Sequence, residues 1–335
     1  MANIDAPAPG VSRRLVVPDR LRAYVETYGA LIGLIVLFLY NVFFTPNFLT
    51  AQTMYVNLTQ VATIAIVATG MTLVIATGGI DLSVGSLMAI SGAIAPLVFL
   101  SQVGQGASLA VIIPLSYIIA ILITGVFGSF NGFLVAYGKI QPIIATLILY
   151  IAGRGIAQVL TNGNLQTFNN PVFQYIGMGR PGGVPFQVIL MLVIVAIAAW
   201  VMRYTTFGRY VLAVGGNESA ARLAGVPIKR IKMAVYIISG LLAGIAGLIV
   251  IAINSSSDAN LVGLNMELDA IAAVAVGGTP LTGGRATIIG TFIGALIMQL
   301  IRFTLLAHGI PDAAAMAVKA AIIVVAAMVQ LRRTA

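Results

Sequence analysis

Apolar runs constrain this chain most, because they are too long and too many for one soluble core. The residues are predominantly apolar over Gly29 to Phe44, Val61 to Thr77, Leu82 to Leu100, Leu109 to Tyr137, Ile143 to Leu160 and Phe186 to Met202. Four more runs follow at Ile231 to Ile253, Leu264 to Val276, Ala286 to Leu306 and Ala313 to Val329. A helix that crosses a bilayer needs about 20 such residues. Of 335 residues, 60% are apolar and 8% charged, whereas a soluble domain is about half apolar and about a quarter charged. The expected fold is all-α: a polytopic membrane bundle of about ten transmembrane helices.

The charges test that topology independently. Lys and Arg collect in alternate, cytoplasmic loops of a membrane protein. Here Arg13, Arg14, Arg20, Arg22, Lys139, Arg203, Arg209, Arg222, Lys229, Arg230, Lys232, Arg285, Arg332 and Arg333 fall on one side, and Arg180 alone on the other. Both termini are therefore expected in the cytoplasm. The net charge of +9 follows from this loop bias and does not call for a nucleic-acid partner. The organisation expected is a basic tail over residues 1–28, one transmembrane domain over 29–330 with a cytoplasmic loop at 203–230, and a C-terminal tail at 331–335. The first apolar run continues into Thr45-Pro46-Asn47 rather than a small-residue cleavage site, so it reads as a retained span. Leu264 to Val276 is short and carries Glu267 and Asp269, which suits a broken or re-entrant segment as well as a plain helix. Charge parity requires it to cross.

Enzymatic chemistry has little to draw on. The one histidine is His308 and cysteine is absent, which removes disulfides, thiolate metal sites and histidine pairs. The phosphate-cradling pattern G-x-x-x-x-G-K-[ST] is missing, since the Gly138-Lys139 pair is followed by Ile140. No catalytic, cofactor or metal site is expected in this chain. If ATP is used, another chain must bind it.

Glycines recur within the apolar runs, as in Gly125, Gly128 and Gly132 or Gly240, Gly244 and Gly247. In lipid, such spacing lets helix backbones approach closely. Gly78-Gly79-Ile80-Asp81-Leu82-Ser83-Val84-Gly85 is echoed at Gly277-Gly278-Thr279-Pro280-Leu281-Thr282-Gly283-Gly284, 199 residues on. Both stretches fall on the same side of the predicted topology. Asp81, beside two glycines at a membrane boundary, reads either as a helix cap for the following span or as a gate or partner contact.

The most informative polar segment runs from Gly215 to Pro227. Asn217 can cap a helix, Glu218 suits its positive end, and Gly225 with Pro227 stops it after about two turns. A helix that short must dock on something. Its apolar face of Ala220, Ala221, Leu223 and Ala224 fits a partner's groove, or else lies on the membrane surface. Arg154, Glu267, Asp269, Arg302 and Lys319 are ionisable groups in or beside predicted spans, where interhelical ion pairs, chiefly of the Glu267 segment with Arg302 or Lys319, are expected and proton relay is the alternative. Asn131 and Gln158 are neutral polar candidates for lining a pathway or for bonding between helices.

These motifs resemble a known family. Ala76-Thr77-Gly78-Gly79-Ile80-Asp81-Leu82-Ser83-Val84-Gly85-Ser86 is similar to the signature of ribose-type permeases of ATP-binding-cassette importers, in the branched-chain amino acid/ribose permease family. Gln141 to Leu147, the capped segment ending in Gly225-Val226, and Glu267 to Gly278 support the likeness, which extends from about Gly29 to Gln330. The resemblance implies a dimer, with itself or with a related permease, in the bacterial cytoplasmic (inner) membrane. It further implies two separate ATPase subunits holding ATP and Mg, and a periplasmic or lipid-anchored sugar-binding protein. Asn217, Glu218, Ala221, Arg222 and Gly225 would form the coupling helix that enters the ATPase, with Gly78, Gly79, Asp81, Ser83 and Gly85 as the loop signature. Ribose and galactofuranose permeases are the nearest in pattern. A branched-chain amino acid or furanone substrate, a secondary transporter and a non-transporting scaffold are the competing readings.

Overall fold

The computed structural model describes residues 19–106, 108–311, 313–314, 316–318, 320–322 and 324, with side chains from residue 29 onward. The chain is a helical bundle. Its helices are α1 (Asp19–Phe44), α2 (Ala51–Ala76), α3 (Val84–Val103), α4 (Leu109–Ala136), α5 (Pro142–Leu160), α6 (Tyr175–Met178), α7 (Phe186–Tyr204), α8 (Thr206–Gly216), α9 (Glu218–Leu223), α10 (Ile228–Asn254), α11 (Met266–Val276) and α12 (Ile288–Ala307). Two residue pairs, Gln166 with Ser257 and Thr167 with Ser256, join the short antiparallel strands β1 (Gln166–Thr167) and β2 (Ser256–Ser257).

Seven of these helices, α2, α3, α4, α5, α7, α10 and α12, are long and apolar enough to cross a membrane, and Gly29–Phe44 of α1 is a shorter apolar helix. α1 begins at Asp19, ahead of the boundary expected at residue 29. Polar residues continue a helix as readily as apolar ones, so the apolar run marks the lipid-facing part and not the helix start. The expected tenth span, Ala313 to Val329, runs past the described residues, as do Lys319, Arg332, Arg333 and the tail at 331–335.

α2 is the axis of the bundle. Every residue from Val61 to Ala76 is buried, and α7, α10, α11 and α12 pack around it. α3 lies between α4, α5 and α10. The glycines behave as their spacing predicts. A Cβ on Gly128 would stand 2.5 Å from the Tyr236 carbonyl oxygen of α10, and one on Gly132 would stand 3.0 Å from Met233 Cα. The α4 and α10 backbones therefore touch directly, which is how van der Waals packing holds helices together in lipid.

Of the forms open to the ninth segment, α11 takes the broken one rather than the plain helix. It has 11 residues, which at 1.5 Å each covers about half of a bilayer core. The non-helical stretch 255–265 precedes it. Gly263 packs against Gly85 and Met88, Ser257 and Val262 flank Gly92, and the far end of α11 lies against α12 through Gly277 and Gly290. The segment is a broken one: a two-residue strand and successive turns, followed by a half-helix. Exposed backbone at membrane depth survives only where protein or water covers it, and α3 and α5 cover this one.

Replacing Gly128 with Val should lower the thermal unfolding temperature in detergent micelles by several degrees, an overpacking cost of about 1–3 kcal/mol. Gly155, whose added Cβ meets nothing within 4 Å, is the control. Gly155→Ala should be neutral or stabilising by up to about 1 kcal/mol.

Candidate functional site

Three assemblies stand out, and the first is the short helix α9. Asn217 sits in extended conformation and its Oδ1 accepts the Ala220 N–H at 2.9 Å. Gly225 takes φ +79° and lets Val226 N–H return to the Ala221 carbonyl at 3.0 Å, closing the C-terminus. Glu218 accepts from Lys232 Nζ at 2.7 Å through one carboxylate oxygen and from Arg222 at 3.1 Å through the other. The Lys232 hydrogen bond is the chief cause that holds the Glu218 carboxyl below its ordinary value. Ala221 is buried against the bundle, while Leu223 is 90% exposed. The apolar face expected at Ala220, Ala221, Leu223 and Ala224 is thus split: Ala221 anchors the helix and the other three face outward.

Beneath α9 lies a joint made of glycines. Gly78 (φ +80°) and Gly278 (φ +87°) end α2 and α11 in the same left-handed turn. Gly78 N–H bonds the Ile75 carbonyl at 2.8 Å and Gly79 N–H that of Val74 at 3.2 Å; Gly278 and Thr279 do the same to Ala275 and Val274 at 3.1 and 3.2 Å. The structural repeat therefore pairs Gly78 with Gly278, one position off the 199-residue register suggested by the glycine pairs. The two turns are joined by Gly284 N–H donating to the Ala76 carbonyl at 3.0 Å. Gly215, at the end of α8, rests on both, and a Cβ there would collide with the Ala76 carbonyl. A side chain at any of these crossings would push the layers apart.

Asp81 ties the first turn to the core. Its Oδ1 accepts from Ser83 N–H at 3.0 Å and Ser83 Oγ–H at 2.6 Å, and its Oδ2 accepts from Ser239 of α10 at 2.7 Å. α3 starts at Val84 with Ser83 in the cap position, so Asp81 organises the turn before the helix rather than capping it directly. Asn131 of α4 is fully buried and donates to Ser83 Oγ at 2.8 Å. Gly85 lets Gly263 and Glu267 approach α3.

The third assembly lies near the middle of α5. Arg154 Nη1 donates to the carbonyls of Ala259, Asn260 and Val262 at 2.8, 3.0 and 3.2 Å. Glu267 attracts the same guanidinium. Gln158, one turn further along α5, donates to Asn260 Oδ1 at 2.7 Å. Arg154 thereby supplies donors to carbonyls that the broken segment cannot satisfy within itself. Sequence reasoning placed Arg154 near the membrane interior but looked for carboxylate partners; carbonyls of a loop about a hundred residues away leave no trace in a motif.

This helical architecture is that of a polytopic membrane protein. The family model for "Branched-chain amino acid transport system / permease component" matches residues 53–327, and the chain belongs to that family. It is 41% identical over 317 residues to the ribose import permease protein RbsC of Escherichia coli K12, covering 93% of this chain and 96% of the relative. It is 44% identical over 278 residues to the galactofuranose transporter permease protein YtfT of the same strain, covering 82% and 79%. It is 39% identical over 268 residues to the fructose import permease protein FruF of Bifidobacterium longum, covering 79% and 73%. No solved structure matches the chain. Family and architecture together make it a multi-pass protein of the bacterial inner membrane.

Glu218 pairing has a defined pH signature. Its pKa is depressed in the fold, so the pairing stabilises at pH above the ordinary carboxylate range and is lost as pH falls through the depressed value. A nitroxide on Leu223→Cys, in a chain otherwise free of cysteine, should gain mobility only as pH falls below the ordinary carboxylate range. With Glu218→Gln it should be mobile at neutral pH. Equal mobility of the two forms would show that the pair does not hold α9.

Proposed function

We propose that this chain is the membrane-spanning permease of an ATP-driven importer of a monosaccharide. ATP and Mg act on a separate ATPase subunit, and a periplasmic or lipid-anchored binding protein delivers the sugar. The single observation carrying this reading is α9: a capped helix, pinned by Glu218 and Lys232, that presents Leu223 outward at the basic end of the bundle. So exposed an apolar side chain on so rigid a support suits insertion into a partner's groove. The basic end is the cytoplasmic face by the distribution of Lys and Arg, which is where an ATPase resides. Closure of the ATPases on ATP would move α9, and the glycine joint would carry that motion to α2 and α11.

Sugar specificity of this kind is supported by the relatives, whose names state import of ribose, galactofuranose and fructose. The passage is best sought along α5 and residues 258–265. Gln158 is half-buried there and Asn260 exposed, among the exposed apolar side chains of Leu147, Ile151, Leu261, Leu264 and Leu268. Polar amides at membrane depth face protein or water rather than acyl chains. A second permease copy, or a related permease, across a water-lined path meets that requirement. Asn131, fully buried on Ser83, supports the joint rather than the path. The transmembrane unit over 29–330, the cytoplasmic loop at 203–230 and cytoplasmic termini belong to the same proposal.

The test is charge reversal in the assembled transporter. Glu218→Lys should cut ATP-dependent sugar uptake at least tenfold and release the ATPase during purification, with membrane insertion unchanged. Adding Lys232→Glu should restore part of the uptake. Uptake that survives Glu218→Lys, or that persists without ATP and collapses with an uncoupler, would refute the ATPase-coupled reading.

A further inference from the structure

A cavity of about 350 Å³ lies between the end of α4, the start of α5, α9 and the start of α10. Lys139, Arg222, Lys229 and Lys232 line it against one carboxylate, Glu218. Four cations less one anion leave three positive charges around one concave space. Glu218 already spends one oxygen on Arg222 and the other on Lys232, so Lys139 and Lys229 receive no compensation from it.

Lys139 is held oddly for a lysine. Its φ is +55°, a left-handed conformation that glycine or asparagine adopts at far lower cost. Here it closes the C-terminus of α4, with Ile140 N–H returning to the Leu134 carbonyl at 3.1 Å. Across the cavity mouth, Lys229 Nζ stands 4.9 Å from the centroid of the Tyr137 ring, and Tyr137 stacks on Phe133 at 5.5 Å. Tyr137 ends an exposed apolar stripe on α4 made of Leu122, Val126, Phe130 and Phe133. The cavity thus opens where a membrane-spanning surface meets a basic recess, with an aromatic ring at the junction, as aromatic residues sit at bilayer interfaces.

We propose that this recess binds the phosphate headgroup of an anionic phospholipid, with the phosphate between Lys139 and Lys229 and the acyl chains along the α4 stripe. Basic pockets beside transmembrane helices on the cytoplasmic side take such headgroups. A free phosphate would use the same two lysines but would have no use for the stripe. The adjoining Arg222 and Glu218 make the bound lipid a neighbour of α9, so the headgroup steadies that helix at the membrane surface. The proposal does not depend on which substrate is imported.

Native mass spectrometry of the full chain in micelles, supplied with phosphatidylglycerol or phosphatidylcholine, tests it. The wild type should retain one phosphatidylglycerol per chain that phosphatidylcholine does not replace. Lys139→Gln with Lys229→Gln should lose it at least fivefold in affinity. Arg203→Gln with Arg209→Gln, which removes the same charge from exposed positions elsewhere, should keep it. Lys139→Gly relaxes the strained backbone, so it should unfold at a higher temperature than wild type and still bind the lipid more weakly, separating lipid loss from misfolding. Undiminished phosphatidylglycerol on the cavity variants would overturn the proposal. So would equal retention of phosphatidylcholine, or displacement by inorganic phosphate at matched concentration.

Discussion

Inside a bilayer no water stands ready to satisfy a broken helix, so the chain can stop a span at depth only where other protein groups take up the freed donors and acceptors. Arg154 meets that constraint for the stretch 255–265, and the bond from Gly284 N–H to the Ala76 carbonyl secures the other end of the half-helix. It joins the turn after α2 to the loop after α11, two places where the backbone reverses through a left-handed glycine. Because both turns are glycine, the backbones come within contact distance, and Gly215 at the end of α8 settles on the same spot. One small joint therefore connects the axis of the bundle, its broken helix and the element that meets the outside.

Asp81 and Arg154 stabilise opposite ends of the same arrangement. Asp81 spends its two oxygens on Ser83 and Ser239, fixing the first turn to α10, with Asn131 bracing Ser83 from α4. Arg154 fixes the other end, holding the non-helical approach to α11 by its carbonyls. Hydrogen bonds to each side chain offset part of the cost of taking it out of water. The half-helix is short, held at both ends and packed against α2 and α12, which suits an element that shifts as a unit.

Much of this was legible in the residues. Apolar runs identified nearly every long helix, since length and hydropathy alone decide which segments suit lipid. The Asn217 cap and the Gly225 stop marked α9 because capping is local chemistry. Lys232, the partner that pins Glu218, stands 14 positions away across a turn and has no local signal. The glycine echo was visible, but its register was not: backbone angle pairs Gly78 with Gly278, whereas the letters pair Gly78 with Gly277. Arg154 drew attention as a charge in an apolar run, yet its carbonyl partners belong to every residue type and leave no pattern.

The central claim is that α9 and the paired turns move as one body. Spin labels on Ser219→Cys and Thr282→Cys, both exposed, would report their separation in the assembled transporter with and without trapped ATP. A single distance distribution, unchanged between the two states, is the expected result. A shift of more than a few ångströms would mean that α9 slides over the joint, and the account of how motion reaches the membrane helices would fail.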